Sequence, residues 1–350
     1  MTVYINAVSA QFAEKLGQRT SQMLGQTTVL PYFNAFKEPL LSLERLYAYF
    51  DEQIDRTLKQ VNWNKTEVKN IPILLGSTAY VMSDCEARLA NQQPLPKEYS
   101  LAVIADHLRE RYQTQVFSFA TSCTSSAQAI GYAYKMLKNN IAEKALVLGF
   151  EMFNRLTFEH FQAMNLLSQE PSYLPMIVSN GMILGEGMGC IALSIQPNRS
   201  LCCEILGVTS LTDNENLTNS NKNSLKTLLK QCLKKAKISA EQIQGIKIHG
   251  VGGSSDEMEK QVLRELFPQT EWMLVKPYMG HTLGASGVLE TVFFYQSLQA
   301  KYLAELPWQM QIESKSQSLT HGKALKCGYY LHYFLGFGGS HIAWVTKVGG

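Results

Sequence analysis

Short β-rich runs alternate with helical patterns along most of this chain. The clearest runs are IPILLGS (71–77), QVFSFAT (115–121), ALVLGF (145–150), GIKIHG (245–250) and WMLVKP (272–277). Strands that are separated by helices are typical of layered folds in which the strands are buried. The sequence therefore predicts fold class α/β.

Two segments have the composition of helices that pack closely on a sheet. After Cys123, apolar side chains recur every three or four residues, at Ala127, Ile130, Tyr134, Leu137 and Ile141. The segment GASGVLETVFFYQSLQA (284–300) begins with small residues, which allow a close approach of the backbone.

A polar stretch, TDNENLTNSNKNS (212–224), is the best boundary between two halves of the 350-residue chain. We expect an N-terminal half over 1–211 and a C-terminal half over 212–350. Each half offers a strand, a sharp turn with a reactive residue and then a helix, which indicates a duplication.

Charge and hydropathy exclude several classes of protein. The net charge is only +3, and the basic cluster in SLKTLLKQCLKKAK has the spacing of a solvated helix face, so nucleic acid is not an expected partner. The N-terminus lacks a signal-peptide pattern, and no stretch approaches the ~18 apolar residues of a membrane span. We expect a cytoplasmic protein.

The seven cysteines are scattered and form no C-x-x-C pair. This pattern argues against a disulfide framework and against a structural zinc site. We therefore expect reduced cysteines and no metal.

Cys123 is the strongest candidate for a reactive residue. A strand that ends near Thr121 and a helix that starts near Thr124 would place it at a turn, where the helix N-terminus stabilises a thiolate. Packing remains an alternative, because turns rich in Ser and Thr are common at helix starts.

Two histidines stand where they could serve a nucleophilic cysteine. His249 ends a β-rich run and precedes GVGGSSDE, and His281 lies between a β-rich run and a helix in VKPYMGHTLGASGVLE. A structural role in a turn is the alternative for both. The remaining contexts indicate surface or packed histidines, at His107, His160, His321 and His332.

The turn in YFLGFGGSHIAWV (333–345) has two interpretations. Gly336, Gly338 and Gly339 bracket Phe337 before a β-rich run. The turn could aim a backbone N–H at an oxyanion, or it could simply form a tight hairpin.

The order of these motifs resembles one family. A cysteine turn is followed by GMILGEGMG (181–189), HGVGG (249–253), KPYMGHTLGASGVLE (276–290) and GFGGS (336–340). Together they resemble a β-ketoacyl-acyl-carrier-protein synthase of the thiolase fold. The resemblance implies a duplicated, five-layered α-β-α-β-α fold with two mixed five-stranded sheets, and a dimer.

The resemblance also implies a chemistry. Cys123 would carry the acyl chain as a thioester, and His249 and His281 would stabilise the enolate that forms when malonyl carrier protein loses carbon dioxide. The enolate would then attack the acyl group in a Claisen condensation.

Further residues receive supporting roles from the same resemblance. Lys276 would orient the histidines and pair with Glu290, whereas Phe337, next to Gly338, would gate the site and complete the oxyanion hole with Cys123. No cofactor is implied beyond the phosphopantetheine of the acyl carrier protein, which is the expected partner.

The chain departs from the family pattern at three positions. Val251 and Gly253 stand where the family has threonines near the phosphopantetheine arm, and His341 replaces an asparagine. The chain also looks trimmed before residue 115 and between Ser168 and Gly181 relative to the family. Such trimming suits a subunit of a type II fatty acid or polyketide system, including the aryl-polyene type, in which the dimer is homomeric or pairs two ketosynthase-like subunits.

Two other functions remain open from the sequence. The chain could be a chain-length-factor subunit that shapes the acyl tunnel of a heterodimer and has little activity of its own. A cysteine hydrolase with a nucleophile elbow would also use a Cys turn and histidines, but it would not explain KPYMGHTLGASG.

Overall fold

The computed structural model describes residues 1–23, 25–197, 201–215, 220–307 and 321–349. Within these ranges the strands are β1 (Val3–Phe12), β2 (Gly17–Met23), β3 (Gln26–Tyr32), β4 (Ile73–Gly76), β5 (Val116–Phe119), β6 (Lys144–Glu151), β7 (Gly187–Ser194), β8 (Cys202–Thr212), β9 (Ile243–Lys247), β10 (Glu271–Met273), β11 (Tyr302–Leu303), β12 (Lys323–Ala324), β13 (Gly328–Leu335) and β14 (Ser340–Gly349). The helices are α1 (Leu43–Val61), α2 (Met82–Ala90), α3 (Ala102–Tyr112), α4 (Ser125–Lys138), α5 (Arg155–Ala163), α6 (Lys222–Ala236), α7 (Ser255–Leu266), α8 (Lys276–Met279) and α9 (Ser286–Gln299).

The main sheet consists of two units with the same topology. The first unit has the order β5-β4-β6-β7-β1, and the second has the order β10-β9-β13-β14-β8. In each unit the first three strands are parallel and the last two pairings are antiparallel. The predicted duplication into two mixed five-stranded sheets is confirmed.

The two units also join edge to edge. β1 and β8 pair over a short register in which Val3 lies opposite Ile205 and Tyr4 opposite Glu204, so the strands form one continuous sheet. β8 ends at Thr212 and belongs to the second unit, while residues 216–219 of the polar stretch lie outside the described residues. The division at residues 211 and 212 stays a prediction.

Helices cover both faces of each unit. α4 and α9 pack against each other and against the sheet, α1 packs on β1 and β7, and α6 packs on β8 and β14. Gly287 makes the central contact possible, because a Cβ there would lie 2.1 Å from the backbone nitrogen of Ala127. The inner helices of the two halves therefore meet backbone to backbone.

The sequence of α1 explains why it forms and which face it buries. The Ser42 side chain caps the helix by accepting a hydrogen bond from the Arg45 N–H, and Asn62 ends it in a left-handed conformation. The buried side chains Leu46, Phe50 and Ile54 recur every four residues and form one stripe against the sheet.

The predicted segments differ from the structure mainly at their ends. QVFSFAT was expected to be a strand over 115–121, but β5 covers only Val116–Phe119. Ile141 lies beyond the end of α4 and is 68% exposed, so its place on the apolar face was wrong. The helix ends earlier because Asn139 and Asn140 close it with hydrogen bonds to its last turn.

Candidate active site

Cys123 lies in a one-turn 3-10 helix, Ser122–Thr124, between β5 and α4. Ser122 has a left-handed φ of 55°, which a residue with a side chain rarely adopts. Side-chain hydroxyls hold this turn, because Ser125 Oγ accepts from the Thr121 N–H at 2.9 Å and donates to the Ser122 carbonyl at 2.7 Å. The hydroxyl-rich sequence thus fixes the cysteine at the junction of strand and helix.

His281 reaches this cysteine from the other half of the chain. Its Nε2 atom lies 3.2 Å from Cys123 Sγ, and its Nδ1 atom lies 3.3 Å from the Ser286 hydroxyl. His249 follows β9, and its ring stands perpendicular to that of His281 with 5.7 Å between the centroids. Both imidazoles are buried. The structure brings together the three residues that the sequence singled out.

The resting site is uncharged at the cysteine and at both histidines. Burial lowers the pKa of His249 and of His281 well below 6.5, and the nearby charge of Lys276 lowers both further. Burial also raises the pKa of Cys123 to about 12, although Lys276 and the Phe337 N–H act in the opposite direction. The expected thiolate is therefore wrong for the resting site, because desolvation exceeds the effect of the helix N-terminus.

Lys276 links His249 to a buried carboxylate. Its Nζ atom donates to the His249 carbonyl oxygen and, at 2.8 Å, to Glu290 Oε1. The other oxygen of Glu290 accepts a 2.6 Å hydrogen bond from Lys247, and all three side chains are no more than 1% exposed. Lys247 was not predicted from the sequence, although a lysine inside the apolar run IKIH was a signal of a buried charge.

Two carboxylates of α7 hold the loop after His249. Asp256 accepts hydrogen bonds from the backbone N–H groups of Val251 and Gly252, and Glu259 accepts one from Gly250. Neither acid was predicted from the sequence, although they lie three residues apart directly after a glycine-rich loop, as expected for one helix face. The loop geometry therefore depends on buried charge.

The GFGGS turn brings Phe337 to the cysteine. It joins the antiparallel strands β13 and β14, with Gly338 at a φ of 79°, so it is a tight hairpin. The Phe337 N–H donates a hydrogen bond to the Cys123 sulfur, and its ring stacks on that of Phe161 with 6.1 Å between centroids. Both interpretations of this turn are compatible with the structure.

These groups enclose a cavity of about 30 Å³. Its walls are formed by Cys123, Phe161, Met182, Ser220, His249, Val251, Ser255, His281, Leu335, Gly336 and Phe337. Gly253 and Gly338 lie outside this wall.

The other histidines do not line this cavity. His107 stacks on Tyr47, His160 is exposed, His321 hydrogen-bonds with Tyr278, and His332 is buried beside Trp344. His341 is buried on β14. All seven cysteines are unpaired thiols.

The described residues show neither a candidate metal site nor a candidate membrane-spanning helix. No group of three or more His, Cys, Asp or Glu side chains there is arranged to hold a metal ion. Among the same residues, no helix combines the length and apolar character needed to cross a bilayer.

Comparison with protein families gives two matches. The model for the beta-ketoacyl synthase N-terminal domain matches residues 18–196, and that for the C-terminal domain matches residues 202–307. The first match alone covers just over half of the chain.

Curated relatives carry related names. The chain is 29% identical over 194 residues to 3-oxoacyl-[acyl-carrier-protein] synthase 2 of Coxiella burnetii, which covers 50% of this chain and 47% of the relative. It is 21% identical over 256 residues to 3-oxoacyl-[acyl-carrier-protein] synthase 1 of Buchnera aphidicola. This match covers 66% of this chain and 61% of the relative. The chain thus spans less than two thirds of these relatives.

Solved structures establish the fold. A ketosynthase in complex with its chain length factor from Xenorhabdus doucetiae has a TM-score of 0.81 at 20% identity, covering 99% of this chain and 98% of that one. The ishigamide ketosynthase/chain length factor has a TM-score of 0.83 at 15% identity, and the match covers 100% of this chain and 99% of that one.

Proposed function

Because this chain belongs to the β-ketoacyl synthase family, we propose that it is an acyltransferase, a β-ketoacyl-acyl-carrier-protein synthase that condenses an acyl thioester with malonyl carrier protein. The observation that carries the proposal is the 3.2 Å contact between Cys123 Sγ and His281 Nε2, with His249 beside them in one buried cavity. A thiol next to a neutral imidazole can act as a nucleophile once its proton moves to the ring.

In the first half-reaction, Cys123 takes the acyl group. The sulfur attacks the carbonyl carbon of the acyl carrier thioester while its proton passes to His281 Nε2. The backbone N–H groups of Cys123 and Phe337 would stabilise the oxyanion. The bond to the carrier sulfur then breaks, the carrier leaves as a thiol with that proton, and Cys123 holds the acyl group.

In the second half-reaction, a carbon–carbon bond forms. The malonyl thioester loses carbon dioxide, and the electron pair of the broken bond becomes an enolate whose oxygen is stabilised by the neutral imidazoles of His249 and His281. The enolate carbon attacks the acyl carbonyl on Cys123. The bond to Cys123 then breaks and releases the β-ketoacyl carrier protein, and the cysteine sulfur takes up one proton from water, by way of His281 Nε2, to restore the thiol.

Lys276 and Glu290 support this reaction without touching the reacting atoms. Lys276 holds the His249 carbonyl oxygen and is itself held by Glu290, so it fixes the ring and contributes positive charge beneath the site. Val251 and Gly253 take the place of arm-binding threonines, which removes two hydrogen bonds of ~0.5–1.5 kcal/mol each. Gly338 allows the left-handed turn that presents Phe337.

The proposal includes the carrier, the partner subunit and the compartment. The substrates arrive on the phosphopantetheine of acyl carrier protein, and no cofactor is bound by the chain itself. The active form is a homodimer or a heterodimer with a second ketosynthase-like subunit. The seven free thiols fit a reducing compartment such as the cytoplasm.

A second candidate is a chain-length-factor subunit with little activity of its own. Two observations favour it. The cavity of about 30 Å³ beside Cys123 is too small for an acyl chain in this conformation, and Val251 cannot replace the hydrogen bond of a threonine hydroxyl.

Intact mass spectrometry separates the two candidates. The purified protein is incubated with acyl carrier proteins and then with malonyl carrier protein, alone and with a ketosynthase-like partner. A synthase gives an acyl adduct that Cys123→Ala lacks and that discharges as a β-ketoacyl product. Cys232→Ala, which removes another buried thiol, is the matched control.

A different result would contradict the synthase. Product that forms only with the partner, and equally well with Cys123→Ala, would assign the condensation to the partner. Hydrolysis of the acyl adduct without condensation would favour a cysteine hydrolase.

A further inference from the structure

Lys247 is a buried cation that the proposed reaction does not use. It is the last residue of β9, two positions before His249, and its side chain is 1% exposed. Its ammonium donates to Glu290 Oε2 at 2.6 Å and to the Tyr333 carbonyl oxygen at 3.1 Å, and it lies 3.3 Å from the centroid of the Phe334 ring. A lysine with so many contacts is held in one position.

Glu290 already has a sufficient partner without Lys247. Lys276 donates to Glu290 Oε1, so one carboxylate receives two ammonium groups. A buried charge is expensive unless it is paired, and here the second cation exceeds what the carboxylate needs. Burial accordingly lowers the pKa of Lys247 to about 8, with Glu290 acting in the opposite direction and Lys276 lowering it further.

Neither acid of α7 near this cluster hydrogen-bonds with Lys247. Asp256, which interacts with the charge of Lys276, accepts from backbone N–H groups of the loop after His249. Glu259 of α7 faces the cluster, but burial raises its pKa to about 7 and its oxygen accepts from Tyr333 and from Gly250. The other titratable groups that face Lys247 are the imidazoles of His249, His281 and His332, which are bases. Lys247 therefore adds positive charge directly beneath the reacting imidazoles.

We propose, on the basis of the proposed function, that Lys247 is a positioning residue for decarboxylation. It occupies one oxygen of Glu290, which leaves the other oxygen to hold Lys276 against the His249 carbonyl. Its charge, added to that of Lys276, disfavours protonation of both imidazoles beyond the effect of their burial and favours the negative charge that develops at the enolate. Burial of the Lys247 charge lowers the stability of the fold, but it makes the site more effective in decarboxylation.

The variant Lys247→Met tests this inference. Methionine fills a similar volume and leaves Glu290 paired with Lys276, so the fold is retained. Lys230→Met, on the exposed face of α6, is the matched control. If Lys247→Met does not fold, Lys247→Gln removes the charge but keeps a hydrogen-bond donor.

The first measurement is the rate of malonyl carrier protein decarboxylation as a function of pH. We expect a roughly tenfold lower rate for Lys247→Met at pH 7, whereas alkylation of Cys123 by iodoacetamide changes by less than about twofold. The wild-type rate should fall above about pH 8, where Lys247 loses its proton, and the variant should lack this fall. Glu151 and Glu259 titrate in the same range but are present in both proteins, so the difference between the profiles isolates Lys247.

The second measurement is NMR titration of the imidazoles, which needs no turnover. In Lys247→Met the pKa of His249 or His281 should rise by about one unit. Unchanged imidazole pKa values, together with an unchanged decarboxylation profile in a folded variant, would overturn the inference. A wild-type protein that fails to decarboxylate contradicts the proposed function, and the titration alone then decides on Lys247.

Discussion

The reactivity of Cys123 depends on a proton that must leave a buried thiol. Desolvation raises the pKa of Cys123 to about 12 while Lys276 and the Phe337 N–H lower it, and desolvation is the largest of these effects. Among the described residues, His281 Nε2 is the one histidine nitrogen within hydrogen-bond distance of the Cys123 sulfur. The Cys123 thiol should therefore react slowly with alkylating reagents near neutral pH. The adjacent His281 imidazole can nevertheless take up its proton during acyl transfer.

The pH dependence of Cys123 alkylation follows from this pKa. Because only the thiolate is alkylated rapidly, the rate with iodoacetamide should rise about tenfold per pH unit from pH 7 to pH 10. Mass spectrometry of the peptide that contains residue 123 measures it, with Cys123→Ala as the blank. A plateau below pH 9 would show that the folded protein stabilises the thiolate.

The two histidines should be separable by mutation. His281→Ala removes the base that contacts Cys123, so acyl transfer should slow by about 10²-fold. His249→Ala should leave acylation within a few fold and abolish condensation, because that ring does not contact the sulfur. Stopped acylation assays and product mass spectrometry measure both steps, with His107→Ala as the control. Equal loss of acylation in the two variants would contradict this assignment.

At the level of elements, the site depends on how closely α4 and α9 approach. The turn before α4 carries Cys123, and the segment before α9 carries His281. Gly287 allows the contact, since any Cβ there would overlap the backbone of Ala127. The distance between nucleophile and base is thus set by a glycine that touches neither.

Gly287→Ala should therefore affect stability and chemistry together. We expect a loss of about 1–3 kcal/mol in the free energy of unfolding from overpacking, and at least a tenfold slower acylation as the helices separate. Urea unfolding and acylation kinetics measure the two effects. Gly253→Ala is the control for stability, because its Cβ would meet only Val251 at 3.8 Å. Normal stability of Gly287→Ala would show that the helices can move apart freely.

The sequence patterns predicted the helices α4 and α9 correctly, but they did not predict the buried charged residues that lie between the elements. The periodicity after Cys123 and the small residues after His281 identified α4 and α9, and the motif order identified the family. Lys247 and Glu259 were missed, because the burial of a charged side chain depends on partners that are distant in the sequence, here Glu290 and Tyr333. The raised pKa of Cys123 was missed for the same reason, since desolvation is a property of the assembled site.

At the scale of the whole molecule, buried histidines link stability to pH. His332 is fully buried beside Trp344, and neither ring nitrogen has a hydrogen-bond partner among the described residues. Burial lowers its pKa well below 6.5, and the charge of Lys247 lowers it further. As the pH falls below about 6.5, His332 is protonated in the unfolded chain but stays neutral in the native state. The free energy of unfolding therefore decreases as the pH falls below about 6.5.

His332→Phe should remove this contribution. Relative to the wild type, the variant should gain up to about 1.4 kcal/mol in the free energy of unfolding per pH unit below pH 6.5. Urea titrations at pH 7, 6 and 5 measure the difference, and the buried acids cancel because both proteins contain them. His160→Phe, at an exposed position, is the control. A pH-independent difference would mean that the pKa of His332 is the same in the native and the unfolded state.

The repeated topology has a consequence for how the two halves have diverged. β5 and β10 occupy equivalent positions in the two sheets, and the segments that follow them carry Cys123 and His281 respectively. If Cys123 and His281 act as we propose, one unit supplies the nucleophile and the other supplies the base. Each unit would then lack half of the chemistry, so neither could compensate for damage to the other despite their shared topology.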